Sequence, residues 1–523
     1  MNQYIYNKKV ILILIFSTLL GINACNDLEE NVYSDETTVN YYQNADQVMA
    51  AYLAPYTFLQ NAVFEIHWSL LAFSTDEAAA TVKVGESWEW NDAPRWTQLH
   101  QHTWTSSLDW ILWEWFQIWQ GIGYANHFIT EMEGRDVSNY NLPISQEQMI
   151  AEIKMVRAYL YTMAMDVFGN VPIVVSLGVP NPPTRPRAEV FEFIETEILE
   201  NIDMLGEKNH GNWYGKFTQS AAYTMLARLY LNAEVYTGTP RWEDAIAAAD
   251  VVLNSGVYEL DPTWDAPFYI QNQFSNENIF VIPYDVNNAR GFNIATQALP
   301  GAMKDAFDFQ DYPWGKMVTQ ESFFRLFSEN DFRINQWLVG PQSYIDENGE
   351  EQPVEGWYDQ DGQQLVIKPE IQMFNNPNQA YGEGVRNIKY EIEKGQGLNN
   401  NNDLVVFRLA EVMFIKAEAL MRLNGGNATQ EAVNLINQVR ARSFAEGDPD
   451  ATYTTATLTM DELLDERARE FSWEMKRRED LIRFGKFTDA WWEKPASAEH
   501  RTLFPIPLPI LTANPALEQN PGY

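Results

Sequence analysis

The sequence predicts a mainly α-helical fold of packed helix pairs, interrupted once by a long loop-rich region with a few short strands. Three observations carry that prediction. From Ala45 onward most of the chain repeats its apolar residues with the period of a helix. Two segments rich in alanine and aromatic residues read as helix–turn–helix pairs, and between them, over residues 255–402, Asn, Gly, Pro and aromatic residues predominate.

In order along the chain, residues 10–20 form an apolar run behind Lys8 and Lys9, too short to span a bilayer but suited to the core of an export signal. The single Cys, Cys25, follows Gly21-Ile22-Asn23-Ala24, where a bacterial lipoprotein signal peptidase leaves the residue that is lipidated. The expected organisation is a signal peptide over 1–24, a lipidated tether over 25–44 and one globular domain over 45–523. With Cys25 acylated no disulfide can form, so the core must hold the fold.

Residues 151–168 place Ile153, Val156, Leu160, Met163, Ala164 and Val167 on one face, an amphipathic helix that Gly169, Asn170 and Pro172 end. The first helix pair is predicted over 218–236 and 242–253, with a turn at Gly238–Pro240; the second over 408–423 and 429–442, with Asn424-Gly425-Gly426 between. Ala227, Ala245, Ala417 and Ala432 would let neighbouring helices approach closely, as stacked tetratricopeptide-like pairs require. Within the irregular region, residues 279–284 read as a strand. Near the C-terminus Thr459-Met460-Asp461-Glu462 has capping-box spacing, and Leu464, Ala468, Phe471 and Met475 form the buried stripe of a charged surface helix.

The chain has 36 Lys+Arg against 72 Asp+Glu, a formal charge of −36. Such a field opposes binding to nucleic acid and disfavours anionic ligands. Aromatic residues make up 14% of the chain, enough to line a binding surface as well as pack a core.

Several short motifs fall in a definite order: Ser74-Thr75-Asp76-Glu77-Ala78, Arg157-Ala158-Tyr159 with Phe168-Gly169-Asn170-Val171-Pro172, Asn330-Asp331-Phe332-Arg333, and Phe407-Arg408-Leu409-Ala410-Glu411. Glu466-Arg467-Ala468-Arg469-Glu470-Phe471, running to Asp480-Leu481-Ile482-Arg483-Phe484-Gly485, and the closing Gln519-Asn520-Pro521-Gly522-Tyr523 complete the series. Together with the lipoprotein start they resemble the SusD/RagB family of outer-membrane glycan-binding lipoproteins of Bacteroidetes. The resemblance implies a SusD-like helical fold, lipid-anchored to the outer membrane and facing outward. It also implies a SusC-like TonB-dependent transporter as partner, and capture of oligosaccharide without cleavage. Met475 stands where the motif after Trp473-Glu474 has Gly in the family, and reads as a change on the surface of a helix.

For the ligand, Trp88, Trp90, Asn91, Asp92, Arg95 and Trp96 read as a loop or short hairpin. Ring faces pack on the axial C–H bonds of a pyranose, while Asn, Asp and Arg pair with its hydroxyls. Alanine at Trp88, Trp90 or Trp96 is expected to weaken binding with little loss of stability. Tyr312 and Trp314, between Asp311 and Gly315, are a second candidate stretch; Trp264, Phe292, Trp337 and Trp357 are weaker candidates. Trp110, Trp113, Trp115 and Trp119 fall at helical spacing and read as core.

Glu466, Arg467, Arg469, Glu470, Arg478, Asp480 and Arg483 read as ion-pair ladders on exposed helices, not as a catalytic cluster. His100 and His102 have no third ligand nearby for a metal, Asp359-Gln360-Asp361-Gly362 reads as a turn, and no nucleotide fingerprint occurs, so no cofactor is expected. The ligand expected is a neutral oligo- or polysaccharide, β-glucan or hemicellulose-like. The competing readings are a secreted glycoside hydrolase, which needs two carboxylates across a cleft, and a helical scaffold that binds only proteins.

Overall fold

A computed structural model describes residues 42–81, 93–207, 211–315, 317–374 and 381–523. The leader and Cys25 lie outside the described residues. The chain divides into two compact units, Met1–Met49 and Ala50–Tyr523. The described part of the first holds the opening of helix α1, Ala45–Ala62, and the second holds the remaining elements.

The helices of the second unit after α1 include α2 Trp68–Phe73, α3 Ala93–His100, α4 Asp109–Glu133, α5 Gln146–Phe168, α6 Arg187–Asn201, α7 Gln219–Leu231 and α8 Trp242–Asn254. After the irregular region come α9 Leu409–Leu423, α10 Gln430–Arg440, α11 Met460–Glu470 and α12 Arg477–Arg483. Threonine side chains cap three of them: Thr218 accepts from the Ala221 N–H, Thr429 from Ala432 and Thr459 from Glu462.

The two helix pairs read from the sequence, α7–α8 and α9–α10, stack in series, α8 lying against α9. Ala227, Ala245, Ala417 and Ala432 are all fully buried, as the close approach of these helices demands. The irregular region is therefore an insertion between two helices that touch. Helix α5 ends at Gly169, whose φ of 73° lies in the left-handed region open to glycine. It is buried on its polar side too, because Arg157 meets Glu197 and Asn126, and Tyr52 meets Glu152.

Four strands organise the region that matters here: β1 Ala78–Ala80, β2 Asn278–Ile282, β3 Met317–Thr319 and β4 Leu404–Arg408. β2 pairs antiparallel with β4, Leu404 opposite Ile282 and Arg408 opposite Asn278, which ties the two ends of the insertion together. β1 pairs antiparallel with β3, Ala78 opposite Thr319 and Ala80 opposite Met317.

The charged C-terminal motif is not an exposed ladder. Arg333 donates to Asp331 at 2.7 Å and to Glu466 and Glu470 at 2.9 Å, and Arg408 reaches Glu277, Glu470 and Glu474 at 2.8 Å. All of these groups are buried. The face of α11 expected to meet water is covered instead: Arg333 of the insertion, with Arg408, Arg440 and Arg442, supplies the charges opposite Glu466 and Glu470, while Asp331 and Glu277 of the insertion balance Arg333 and Arg408. A second buried cluster joins Glu418 to Arg483 at 2.6 Å, and Asp480 to Arg467 at 2.8 Å and to Arg483 at 2.7 Å. Arg478 is likewise buried, on Asp166 at 2.9 Å. Spacing within one helix could not reveal partners that lie far away in sequence.

Met475 is not on a helix surface either. It is buried in the turn between α11 and α12 with φ 61°, and Trp473 beside it has φ 62°. A left-handed backbone explains why glycine suits that position.

Candidate functional site

Because Ala80 faces Met317 in an antiparallel pair, the chain enters residues 82–92 and leaves residues 311–316 at the same end of one ribbon. The two stretches read from the sequence as ligand loops, more than two hundred residues apart, are thus tethered at one place. Trp88, Trp90, Asn91 and Asp92 lie outside the described residues.

The second stretch is described. Tyr312 is 60% exposed, and its ring sits 5.4 Å from that of Trp357 at 62°. Trp357 stacks on Tyr381 at 6.0 Å and 20°, and Tyr358 closes the group edge-on to Tyr381 at 5.4 Å. Lys304 Nζ lies 5.5 Å from the Tyr312 centroid, placing a hydrogen-bond donor beside the ring. Gly301 makes room for Trp357, since a Cβ there would come 2.5 Å from its Cζ3. Trp314 is half-buried and anchored by its backbone N–H, which donates to Thr296 O at 2.8 Å. The arrangement offers an exposed ring on a rigid aromatic base, the geometry that accepts the apolar face of a sugar.

The ribbon itself is braced from below. The Trp473 indole donates to Thr319 Oγ1 at 2.9 Å, and its backbone N–H donates to Glu77, the residue before β1. Burial pushes the Glu77 carboxyl up to about 8, against the opposing pull of the Trp473 N–H and of Arg477.

Trp96 is a correction. It is 2% exposed, its ring 5.0 Å from Phe73 and 5.4 Å from Trp110. Helix α3 has already begun at Ala93, so the packing of α3 on α2 and β1, and not the preceding loop, decides where Trp96 points. Arg95, half-buried on the same helix, donates to Asp109 Oδ1 at 3.0 Å and lies 4.2 Å from the Trp110 centroid. Phe292 and Trp337 are core residues, while Trp264 is half-buried.

Trp113 reverses the other way: read as core, it is 52% exposed, and Phe116 beside it is exposed too. Helix α4 carries apolar residues around most of its first half, and its buried face runs through Ile111, Trp115, Ile118, Ile122, Ala125 and Ile129, leaving Trp113 and Phe116 on the other side. Phe116, Trp115 and Trp119 then line an apolar groove of about 480 Å³ with Val174, Leu177 and Ile510, and among the described residues no charged side chain lines it.

His100 and His102 are buried among aromatic rings; His100 bonds to Trp492 O at 2.7 Å and His102 to Ser74 O at 2.9 Å. The segment at Asp359–Gly362 is a turn, with Asp359 accepting from the Tyr381 N–H at 2.8 Å. Sequence reasoning passed over Tyr358 and Tyr381. The signal available was Gly356-Trp357-Tyr358, two adjacent rings after a glycine, and Tyr358 has φ 56°, a strained value for an aromatic residue.

Two family profiles match the chain in succession: "Starch-binding associating with outer membrane" over residues 27–231, and "SusD family" over residues 272–499. The chain belongs to the SusD/RagB family. Among characterised SusD relatives, the starch-binding protein SusD of Bacteroides thetaiotaomicron is 26% identical over 478 residues, covering 83% of each chain. SusD-like protein P2 of Formosa agariphila is 22% identical and covers 98% of this chain and 99% of its own. Among solved SusD-like structures, a SusD homolog from B. thetaiotaomicron superposes with a TM-score of 0.73 at 19% identity, covering 93% of this chain and 98% of its own. The surface glycan-binding protein A of that organism, solved with laminarihexaose, gives 0.69 at 19% identity, covering 91% and 99%. The SusD-like fold, helix pairs with a long insertion, is thereby the fold of this chain.

Proposed function

We propose that this chain is a cell-surface lipoprotein that captures a neutral oligo- or polysaccharide and passes it to a SusC-like TonB-dependent transporter without cutting it. The pairing of Ala80 with Met317 carries the reading, because it brings the two aromatic loops to one end of one ribbon. Tyr312 and Trp314 with Trp357 and Tyr358 form the binding surface, joined by Trp88, Trp90, Asn91 and Asp92 and flanked by Arg95. The names of its relatives, starch-binding and laminarihexaose-bound, support a glycan ligand, and a charge of −36 favours a neutral one.

Cys25 carries the lipid that holds the protein on the outer face of the outer membrane. Among the described residues no helix is long and apolar enough to cross a membrane. An uncharged apolar groove on so acidic a protein supports a protein partner. Glu466, Glu470 and Glu418 are buried and held by arginines in the core, which favours capture over hydrolysis.

The test is migration of the chain lacking residues 1–25 in native gels cast with neutral and acidic polysaccharides, beside Tyr312→Ala and Trp314→Ala. Retention by one or two neutral glycans, relieved in the variants without release of reducing ends, is the expected result. Retention by none, or new reducing ends, overturns the reading.

A further inference from the structure

At the end of the β2–β4 ribbon, where the chain leaves through Pro283 and returns through Asp403, a second cleft of about 690 Å³ opens. Its floor is set by Tyr214, whose hydroxyl donates to Asp403, and by the Tyr284 N–H, which donates to Asp403 Oδ1 at 2.8 Å. One wall is Asn401, which donates to Glu393 at 2.5 Å and accepts from the Val286 N–H at 3.0 Å. Asp285 shapes the turn beside it by accepting from the Asn287 N–H at 2.9 Å, leaving the Asn287 side chain on the exposed rim.

Over this polar floor stands Phe274, 71% exposed, the most exposed of the large hydrophobic side chains among the described residues. Its ring is open to the cleft and unburied by the rest of the described chain, so an apolar ligand face can pack on it. Gln271 and Gln273 flank it. One open ring face with carboxamides and carboxylates around it is what a pyranose needs: a platform for C–H bonds, and donors and acceptors for hydroxyls. Among the described residues the lining includes Asp285, Glu393 and Asp403 and no Lys or Arg, which disfavours phosphates, sulfated sugars and uronates. The volume falls in the range of small-ligand clefts, about 300–1,000 Å³.

We propose that this cleft is a second binding site for a neutral oligosaccharide, sharing no residue with the aromatic site at Tyr312. The ligand class rests on the proposed glycan function; the site itself does not. Two sites on one chain would raise the retention of a polymer far above that of either site alone, as linked binding events do.

Calorimetric titration with laminarihexaose and with cellohexaose tests it, using the chain lacking residues 1–25 in three forms: unsubstituted, Tyr312→Ala with Trp314→Ala, and those two with Phe274→Ala and Asn287→Ala. Phe274 and Asn287 are exposed, so the melting temperature of the third form should match that of the second. The expected result is weak binding that survives in the second form and falls at least tenfold in the third. The proposal is overturned if the second form loses all binding, or if the third binds within twofold of the second. If the unsubstituted chain binds neither sugar, this proposal falls together with the β-glucan reading of the ligand, a result distinct from loss in the substituted forms alone.

Discussion

The indole N–H of Trp473 donates to Thr319 Oγ1 at 2.9 Å, joining the turn after α11 to strand β3. The backbone N–H of the same residue donates to Glu77, the residue before β1, and its carbonyl accepts from the Trp68 indole at 3.1 Å. One buried residue thus holds both strands of the ribbon from which the candidate ligand loops spring. The C-terminal motif, remote in sequence from those loops, acts on them as a brace.

Thr319→Val tests the brace. Valine keeps the volume but leaves the buried indole N–H without its acceptor, a loss of about 1–3 kcal/mol. The expected outcome is a lower melting temperature in calorimetry and weaker glycan retention, since the ribbon sets the spacing of the loops. An unchanged melting temperature would show that this bond braces nothing.

Trp96 and Tyr312 should behave oppositely. Trp96→Ala empties a site that is 2% exposed, and is expected to cost about 3–5 kcal/mol in urea unfolding. Tyr312→Ala removes a ring that is 60% exposed, and should change stability by about 0.5 kcal/mol or less while reducing glycan retention. Equal losses of stability would place Tyr312 in the core.

Acid should unfold the protein through the α11 network. Burial raises the Glu466 carboxyl, but Arg333, Arg469 and Arg440 outweigh it and hold the group at about 2, against an ordinary 4.5. Glu418 is likewise held at about 2, burial being outweighed chiefly by Arg483 and Arg422. With folded values below unfolded ones, the contribution of these pairs is whole above about pH 4.5 and is lost as pH falls toward 2. Urea midpoints should therefore drop steeply between pH 4.5 and 2.5. Glu466→Gln, which leaves arginines uncompensated, should lower stability at pH 6 by about 3–5 kcal/mol and flatten the acid slope. A wild-type midpoint that holds steady down to pH 2.5 would contradict this.

Legibility in the sequence tracks the distance between partners. Helix pairs were readable because alanines such as Ala227 and Ala417 sit at helical spacing and are buried by near neighbours. The charged motif was misread because Glu466 and Glu470 find Arg333 across some 133 and 137 residues, a distance over which local spacing says nothing. The candidate site was half legible. Tyr312 stood out between a proline and an acid, but Trp357 and Tyr381, which support it, are brought there by tertiary packing alone. Trp96 failed for the converse reason: a loop-like composition continued into a residue that the helix had already claimed.

Met475 offers a test of backbone strain against packing. It is buried, and its φ of 61° is a conformation costly for any residue with a Cβ. Met475→Ala loses the side chain's burial and keeps the strain; Met475→Gly loses the same burial and relieves the strain. Both should be less stable than the parent, but the glycine variant should exceed the alanine variant by about 1 kcal/mol in urea unfolding, the reverse of their order in a helix interior. Alanine more stable than glycine would show that the turn relaxes out of the left-handed region once the methionine is gone. The glycine expected from the family resemblance would then owe its place to space, not to backbone conformation.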